Sequence, residues 1–149
     1  MASETTATFI GHNECFEISK EQVKNAIQTL IKQCVTDFLC GGQGGFDRLC
    51  SRCVYELKKE YPHINNYLVI PYLSFNVFDK AIFDSIIYPD DFEKYHFKAA
   101  ISARNKYLVD NSSYTICYVT HSWGGAAKTY NQAVKKKLQI INLGVKEDE

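Results

Sequence analysis

An open α/β sandwich, with a mainly parallel sheet of about five strands between two helical layers, is the fold this sequence predicts. Three observations carry the prediction. Strand-like and helix-like patterns alternate from end to end. The strand-like segments are almost continuously apolar, as in sheets covered on both faces. The glycines gather where strands give way to helices, six of the eight lying in two such loops.

Each element has its own justification. TATFIGH (6–12) is a first strand that ends at Gly11. SKEQVKNAIQTLIKQC (19–34) is the first helix, because Ser19 and Gln22 fit a capping box. Its apolar residues Val23, Ile27, Leu30, Ile31 and Cys34 recur at helical spacing. TDFLCGG (36–42) is a second strand ending in a glycine pair. GFDRLCSRCVYELKKEY (45–61) is a second helix, with Phe46, Leu49, Cys50, Cys53, Val54 and Leu57 on one face. NYLVIPY (66–72) and YTICYVT (114–120) are the third and fourth strands. GAAKTYNQAVKKK (125–137) is the helix that follows, and LQIINL (138–143) is the fifth strand. The stretch from Leu73 to Asp110 is predicted to hold more than one helix, with a break at Pro89 and a helix start at Asp90 or Asp91 with Glu93. No repeat, low-complexity tract or linker interrupts the pattern, so residues 1–149 read as one Rossmann-like domain.

Composition narrows the function classes. Seventeen basic and seventeen acidic residues cancel, leaving no basic footprint, so neither a nucleic-acid partner nor a membrane is expected. The opening MASETTATFIGHNE lacks a basic stretch followed by an apolar core, and no apolar run approaches the roughly 20 residues of a membrane span, which predicts a cytoplasmic protein. Cys15, Cys34, Cys40, Cys50, Cys53 and Cys117 are scattered through the predicted elements. The one tight pair, CSRC, falls on the apolar stripe of a helix and reads as core packing, with no metal site and no cofactor expected.

In open parallel sheets ligands bind beyond the carboxyl ends of the strands, at the point where strand order reverses. Unusual residues stand at three such ends: Gly11, His12 and Asn13; CGGQGGFD from Cys40 to Asp47; and THSWGG from Thr120 to Gly125. The last two lead into helices, whose first amides favour an anion. Neither GxGxxG nor GxxxxGK[ST] is present, which disfavours a dinucleotide oxidoreductase or a P-loop enzyme. Lys128, one turn into its helix, is placed to reach a phosphate on the Gly124 and Gly125 amides, with hydroxyls from Thr120, Ser122 and Thr129 nearby. Asp47 suits ribose hydroxyls or a helix cap. Arg104 lies on an apolar helical stripe and needs a partner, either a ligand phosphate or Asp110. His12 suits a general acid or, more plainly, a bonded loop residue. Lys135 to Lys137 close a helix where its dipole favours cations and read as solvated.

Four segments together, FIGH, GGQGGFD, RNKYLVDNSSYTICYVT and GGAAKTYNQAVKKKLQIINL, resemble the YpsA-like branch of the SLOG superfamily over most of the chain. The resemblance implies a Rossmann-like domain that binds nucleotides or nucleotide-derived small molecules. It carries ligand contact onto Gly11, His12, Gly41, Gly42, Gly44, Gly45, Asp47, Arg104, Asn105, Thr120, Gly124, Gly125 and Thr129. Two departures stand out. Asn13 replaces the arginine of the usual GHR, and WGGAAKTYNQ lacks the proline and glutamate of the PGGxGTxxE loop in LOG-type phosphoribohydrolases. The expected function is therefore a sensor or sequestering module for a phosphorylated, nucleotide-derived small molecule. The alternative is a hydrolase of an N-glycosidic or phosphate bond with His12 or Asp47 in the acid–base role. A protein-interaction scaffold is a third reading, and self-association is left open.

Overall fold

Six strands, all parallel, build the sheet of the computed structural model, which describes residues 2–14 and 17–144. The strands are β1 (Thr6–Gly11), β2 (Asp37–Cys40), β3 (Asn65–Val69), β4 (Ser85–Ile87), β5 (Tyr114–Tyr118) and β6 (Gln139–Asn142). Their spatial order is β4-β3-β2-β1-β5-β6. The helices are α1 (Lys20–Lys32), α2 (Gly45–Leu57), α3 (Phe97–Asp110) and α4 (Gly125–Lys135). The α/β sandwich is as expected, with one strand more.

Alternation along the strands supplies both halves of the core. Ala7, Phe9, Phe38, Cys40 and Ile116 pack with Val23, Ile27 and Leu30 of α1 and with Phe46, Cys50, Cys53 and Val54 of α2. The intervening residues face the other way: Ile10 and Cys117 join Val109 and Ala133, while Leu39 and Val69 join Leu108. Helices α1 and α2 thus cover one face and α3 and α4 the other. The CSRC cysteines are buried in the larger layer, as a packing role requires. Cys15 lies outside the described residues. The capping box of α1 is formed: Gln22 N donates to Ser19 Oγ (3.2 Å), and Ser19 N to Gln22 Oε1 (3.0 Å).

The region from Leu73 to Asp110 corrects its prediction. It holds one α-helix, not two, and α3 begins at Phe97. Asp91 has a left-handed φ of 68° and precedes only a three-residue 3-10 turn, Phe92–Lys94. Phe92, 8% exposed, anchors that turn against Tyr88, Tyr95 and Tyr107, and the backbone is already extended at Tyr95, so no helix propagates from it. The sixth strand also comes from this region: Ser85–Ile87 pairs with β3 through Tyr67↔Ser85, Leu68↔Ile86 and Val69↔Ile87. Among the described residues, no helix is long and apolar enough to cross a membrane.

Candidate functional site

Strands β1 and β5 are neighbours, but their chains leave in opposite directions, β1 toward β2 and β5 toward β6. A crevice opens where two such strands end. Here Gly11 pairs with Tyr118 at the last register position, and His12 N donates to Tyr118 O (3.2 Å). The crevice is a cavity of about 700 Å³ between the ends of β1 and β5, the start of α4, α3 and the β2–α2 loop. That is within the range of a ligand pocket.

Of the predicted residues, Gly11, His12, Asp47, Arg104, Asn105, Thr120, Gly124, Gly125 and Thr129 line the cavity. Gly41, Gly42, Gly44, Gly45, Ser122 and Lys128 are not on its wall. The second glycine loop is largely occupied by protein. Gly45 N donates to Asn13 O (2.8 Å), so the start of α2 is already capped from β1. Gly41 N donates to both carboxylate oxygens of Asp47 (3.2 and 3.1 Å), and a Cβ on Gly41 would stand 2.8 Å from Asp47 Oδ2. That loop gives the cavity Gln43 and Asp47, not a glycine cradle.

Asp47 caps this loop and does not serve its own helix. Burial pushes its carboxyl up to about 6, while Arg104 and the amides of Gly41, Gln43 and Gly42 pull in the opposite direction. Arg104 is 2% exposed and spends its donors on the protein. Nη1 donates to Gly41 O (2.7 Å) and Val69 O (3.2 Å), Nη2 to Gln43 Oε1 (2.7 Å) and Nε to Asn105 Oδ1 (3.0 Å). The expected pairing with Asp110 is not made. Asp110 points to the surface and pairs with Lys106 (2.6 Å) and Lys136 (3.1 Å).

The start of α4 is different. Gly124 adopts φ 93° as its N-cap, a conformation costly for other residues, and around Gly125 there is open space. As at every helix start, the first amides have no intrahelical acceptor, and here they border the cavity. Thr129 Oγ1 donates back to Gly125 O (3.0 Å), and Lys128 is exposed beside them.

The feature missed in the sequence is aromatic. His12, His121 and Trp123 form a continuous stack, with ring centroids 3.8 Å apart at 11° for the first pair and 3.7 Å apart at 18° for the second. Trp123 closes the stack and is 69% exposed. His12 Nε2 accepts a hydrogen bond from Thr120 N (3.0 Å), which fixes a neutral ring protonated on Nδ1. Burial and the adjacent His121 both hold its pKa below the ordinary 6.5. His121 Nδ1 is buried without a partner among the described residues. A tryptophan and a histidine set among glycines and hydroxyls in a strand-end loop were the available signal. Among the described residues, no cluster of three or more His, Cys, Asp or Glu is placed to hold a metal ion.

The model of the YspA SLOG family (YpsA) matches residues 5–144 of this chain. An uncharacterized SPbeta prophage-derived protein of Bacillus subtilis (strain 168), YoqJ, is 25% identical over 142 residues, covering 78% of this chain and 83% of that protein. Among solved structures, DNA processing protein A from Helicobacter pylori, described for its single-stranded DNA binding mode, superposes with a TM-score of 0.67 at 18% identity, over 99% of this chain and 68% of that one. DNA processing protein A from Streptococcus pneumoniae gives a TM-score of 0.55 at 12% identity, over 95% of this chain and 59% of that one.

These neighbours correct two expectations. The fold this chain shares along its length is that of DNA-processing proteins, one of them described for binding single-stranded DNA. The expected small-molecule sensor or nucleotide hydrolase, and the expected lack of a nucleic-acid partner, do not stand against it. The physical reason lies in the charge argument. A balanced total of charge says nothing of how charge is distributed over the surface, and single strands are held by aromatic stacking as well as by basic groups.

Proposed function

The chain belongs to the YpsA family of SLOG proteins, and from that premise we propose that it binds single-stranded nucleic acid at the C-terminal edge of its sheet. An unpaired base stacks on the free face of Trp123, and the neighbouring phosphate lies at the start of α4, near Gly124, Gly125 and Lys128. The observation that carries this reading is the three-ring stack, which ends in an exposed indole beside an open helix start.

The chemistry suits a single strand better than a duplex. Stacking on an aromatic side chain contributes about 1–3 kcal/mol per base and is tolerant of sequence, since every base has a π-face. In a duplex those faces are covered by neighbouring pairs. The helix start adds roughly 0.3–1 kcal/mol for a nearby anion. Thr120, Ser122 and Thr129 supply hydroxyls at the rim and wall. Gly11, His12 and Asn105 shape the floor, while Gly41, Gly42, Gly44, Gly45, Asp47 and Arg104 hold the β2–α2 loop in place. The ssDNA-binding description of the H. pylori neighbour supports the same reading.

The test is fluorescence anisotropy with end-labelled oligo(dT) and with a duplex of equal length. Single strands are expected to bind more tightly than duplex, and Trp123→Ala is expected to weaken that binding about 5- to 150-fold with the fold intact. Equal affinity of Trp123→Ala and the parent, or equal affinity for duplex, refutes the proposal.

A further inference from the structure

We propose that His12 is a positioning residue that makes the stacking platform proton-sensitive: its neutral ring holds the Thr120 amide, and with it the loop carrying His121 and Trp123, and protonation of that ring releases the loop. The consequence for nucleic acid rests on the reading given above; the switch itself rests only on the geometry of the loop.

His12 is fixed on three sides. Its backbone N–H donates to Tyr118 O (3.2 Å), its ring edge meets Tyr118 (6.2 Å, 78°), and its face lies on His121 (3.8 Å). What it holds in turn is weakly held otherwise. Among the described residues, His121, Ser122 and Trp123 make no hydrogen bond through backbone or side chain. The last bond before that stretch is Thr120 N to His12 Nε2, and the next is Lys128 N to Gly124 O (3.1 Å), inside α4. Among the described residues the platform therefore rests on one hydrogen bond and on ring stacking.

The bond has a chemical polarity. An imidazole nitrogen accepts only while it carries no proton. A proton on Nε2 turns the acceptor into a donor that faces the Thr120 N–H, and the bond is lost. The same proton puts a positive charge against the face of His121. Other groups share the cavity: Glu14 and Glu17 after β1, Asp47 from α2, Arg104 from α3, Tyr118 from β5, with Lys128 on α4 at its edge. Asp47 titrates at about 6, in the same range, and must be separated from His12 in any pH experiment.

Isotope-labelled protein, titrated by two-dimensional NMR from about pH 7.5 to about pH 5, gives the test without any ligand. The Thr120 amide is expected to move in step with the His12 ring, with a midpoint below the ordinary 6.5. In His12→Gln, whose amide oxygen can accept the same N–H without titrating, the Thr120 amide is expected to stay still. In Asp47→Asn its titration is expected to persist. The binding arm uses oligo(dT), whose base has no group that titrates in this range. In the Asp47→Asn background acidification is expected to weaken its binding by about 2- to 10-fold, the size of one hydrogen bond, and adding His12→Gln is expected to abolish that pH dependence. A Thr120 amide that is flat in the parent, or that titrates unchanged in His12→Gln, overturns the switch. If Thr120 follows His12 and oligo(dT) fails to bind at every pH, the switch stands and the nucleic-acid reading falls.

Discussion

Arg104→Met removes five donors from the interior while keeping an unbranched apolar stem, and its cost can be worked from the hydrogen bonds it breaks. The guanidinium, 2% exposed, joins the ends of β2 and β3 through Gly41 O and Val69 O and steadies the side chains of Gln43 and Asn105. Two of these acceptors are buried backbone carbonyls, and each left unsatisfied costs about 1–3 kcal/mol. Asp47 also loses the cation that offsets its burial. Together these give an expected loss of about 3–5 kcal/mol, close to that for breaking a buried charge pair. For a chain of this size the melting temperature falls by about 2–4 °C per kcal/mol, so a drop of roughly 6–20 °C is expected.

The same substitution carries a pH signature. The folded-state pKa of Asp47, about 6, lies above its ordinary 3.8, so the protonated form favours the fold. That contribution is complete below about pH 3.8 and is lost as pH rises through about 6. Arg104 limits the loss, and without it the carboxyl is pushed higher still. The gap between Arg104→Met and the parent must therefore widen from about pH 5 to about pH 7.5. Adding Asp47→Asn should remove the widening. Urea unfolding followed by circular dichroism at both pH values, with unchanged m-values, measures this. A loss under about 1 kcal/mol, or one that does not grow with pH, refutes the clamp.

Two further outcomes concern the same loop and the buried thiols. Gly41→Ala would place a Cβ 2.8 Å from Asp47 Oδ2 and 3.2 Å from Arg104 Cζ, and is expected to cost about 1–3 kcal/mol in a thermal melt; an unchanged melting temperature would mean the pair can yield. Among the described cysteines Cys34 is exposed, whereas burial pushes Cys53 up to about 11 and Cys117 up to about 12. A thiol reagent at neutral pH, followed by peptide mapping, should therefore mark Cys34 before Cys40, Cys50, Cys53 or Cys117, and rapid labelling of Cys53 would overturn the packing role of CSRC.

The sequence was most legible where local chemistry decides. The capping box at Ser19 and the buried stripes of α1 and α2 form as their spacing predicts, save that Cys34 lies past the end of α1 with a left-handed φ of 73° and is exposed, and glycines stand at the strand ends that the parallel sheet requires. It was least legible where pairing decides. Ser85–Ile87 is too short to announce itself as a strand and exists because β3 offers it an edge. Arg104 was visible as a cation needing partners, yet those partners include two backbone carbonyls, which carry no side-chain identity to read. The stack was hidden for a similar reason. His12 and His121 meet only because Gly11 and Tyr118 share a register across two strands far apart in the chain, and total charge says nothing of that juxtaposition.

Trp123 is the single tryptophan in a chain with ten tyrosines. Light absorbed at the red edge of the aromatic band is therefore re-emitted from one loop of the molecule and from nowhere else. With an imidazole 3.7 Å beneath it, that emission will register whatever displaces, covers or charges the rings. The protein carries its own optical probe at the place where binding is proposed, with no label to attach and no second indole to subtract.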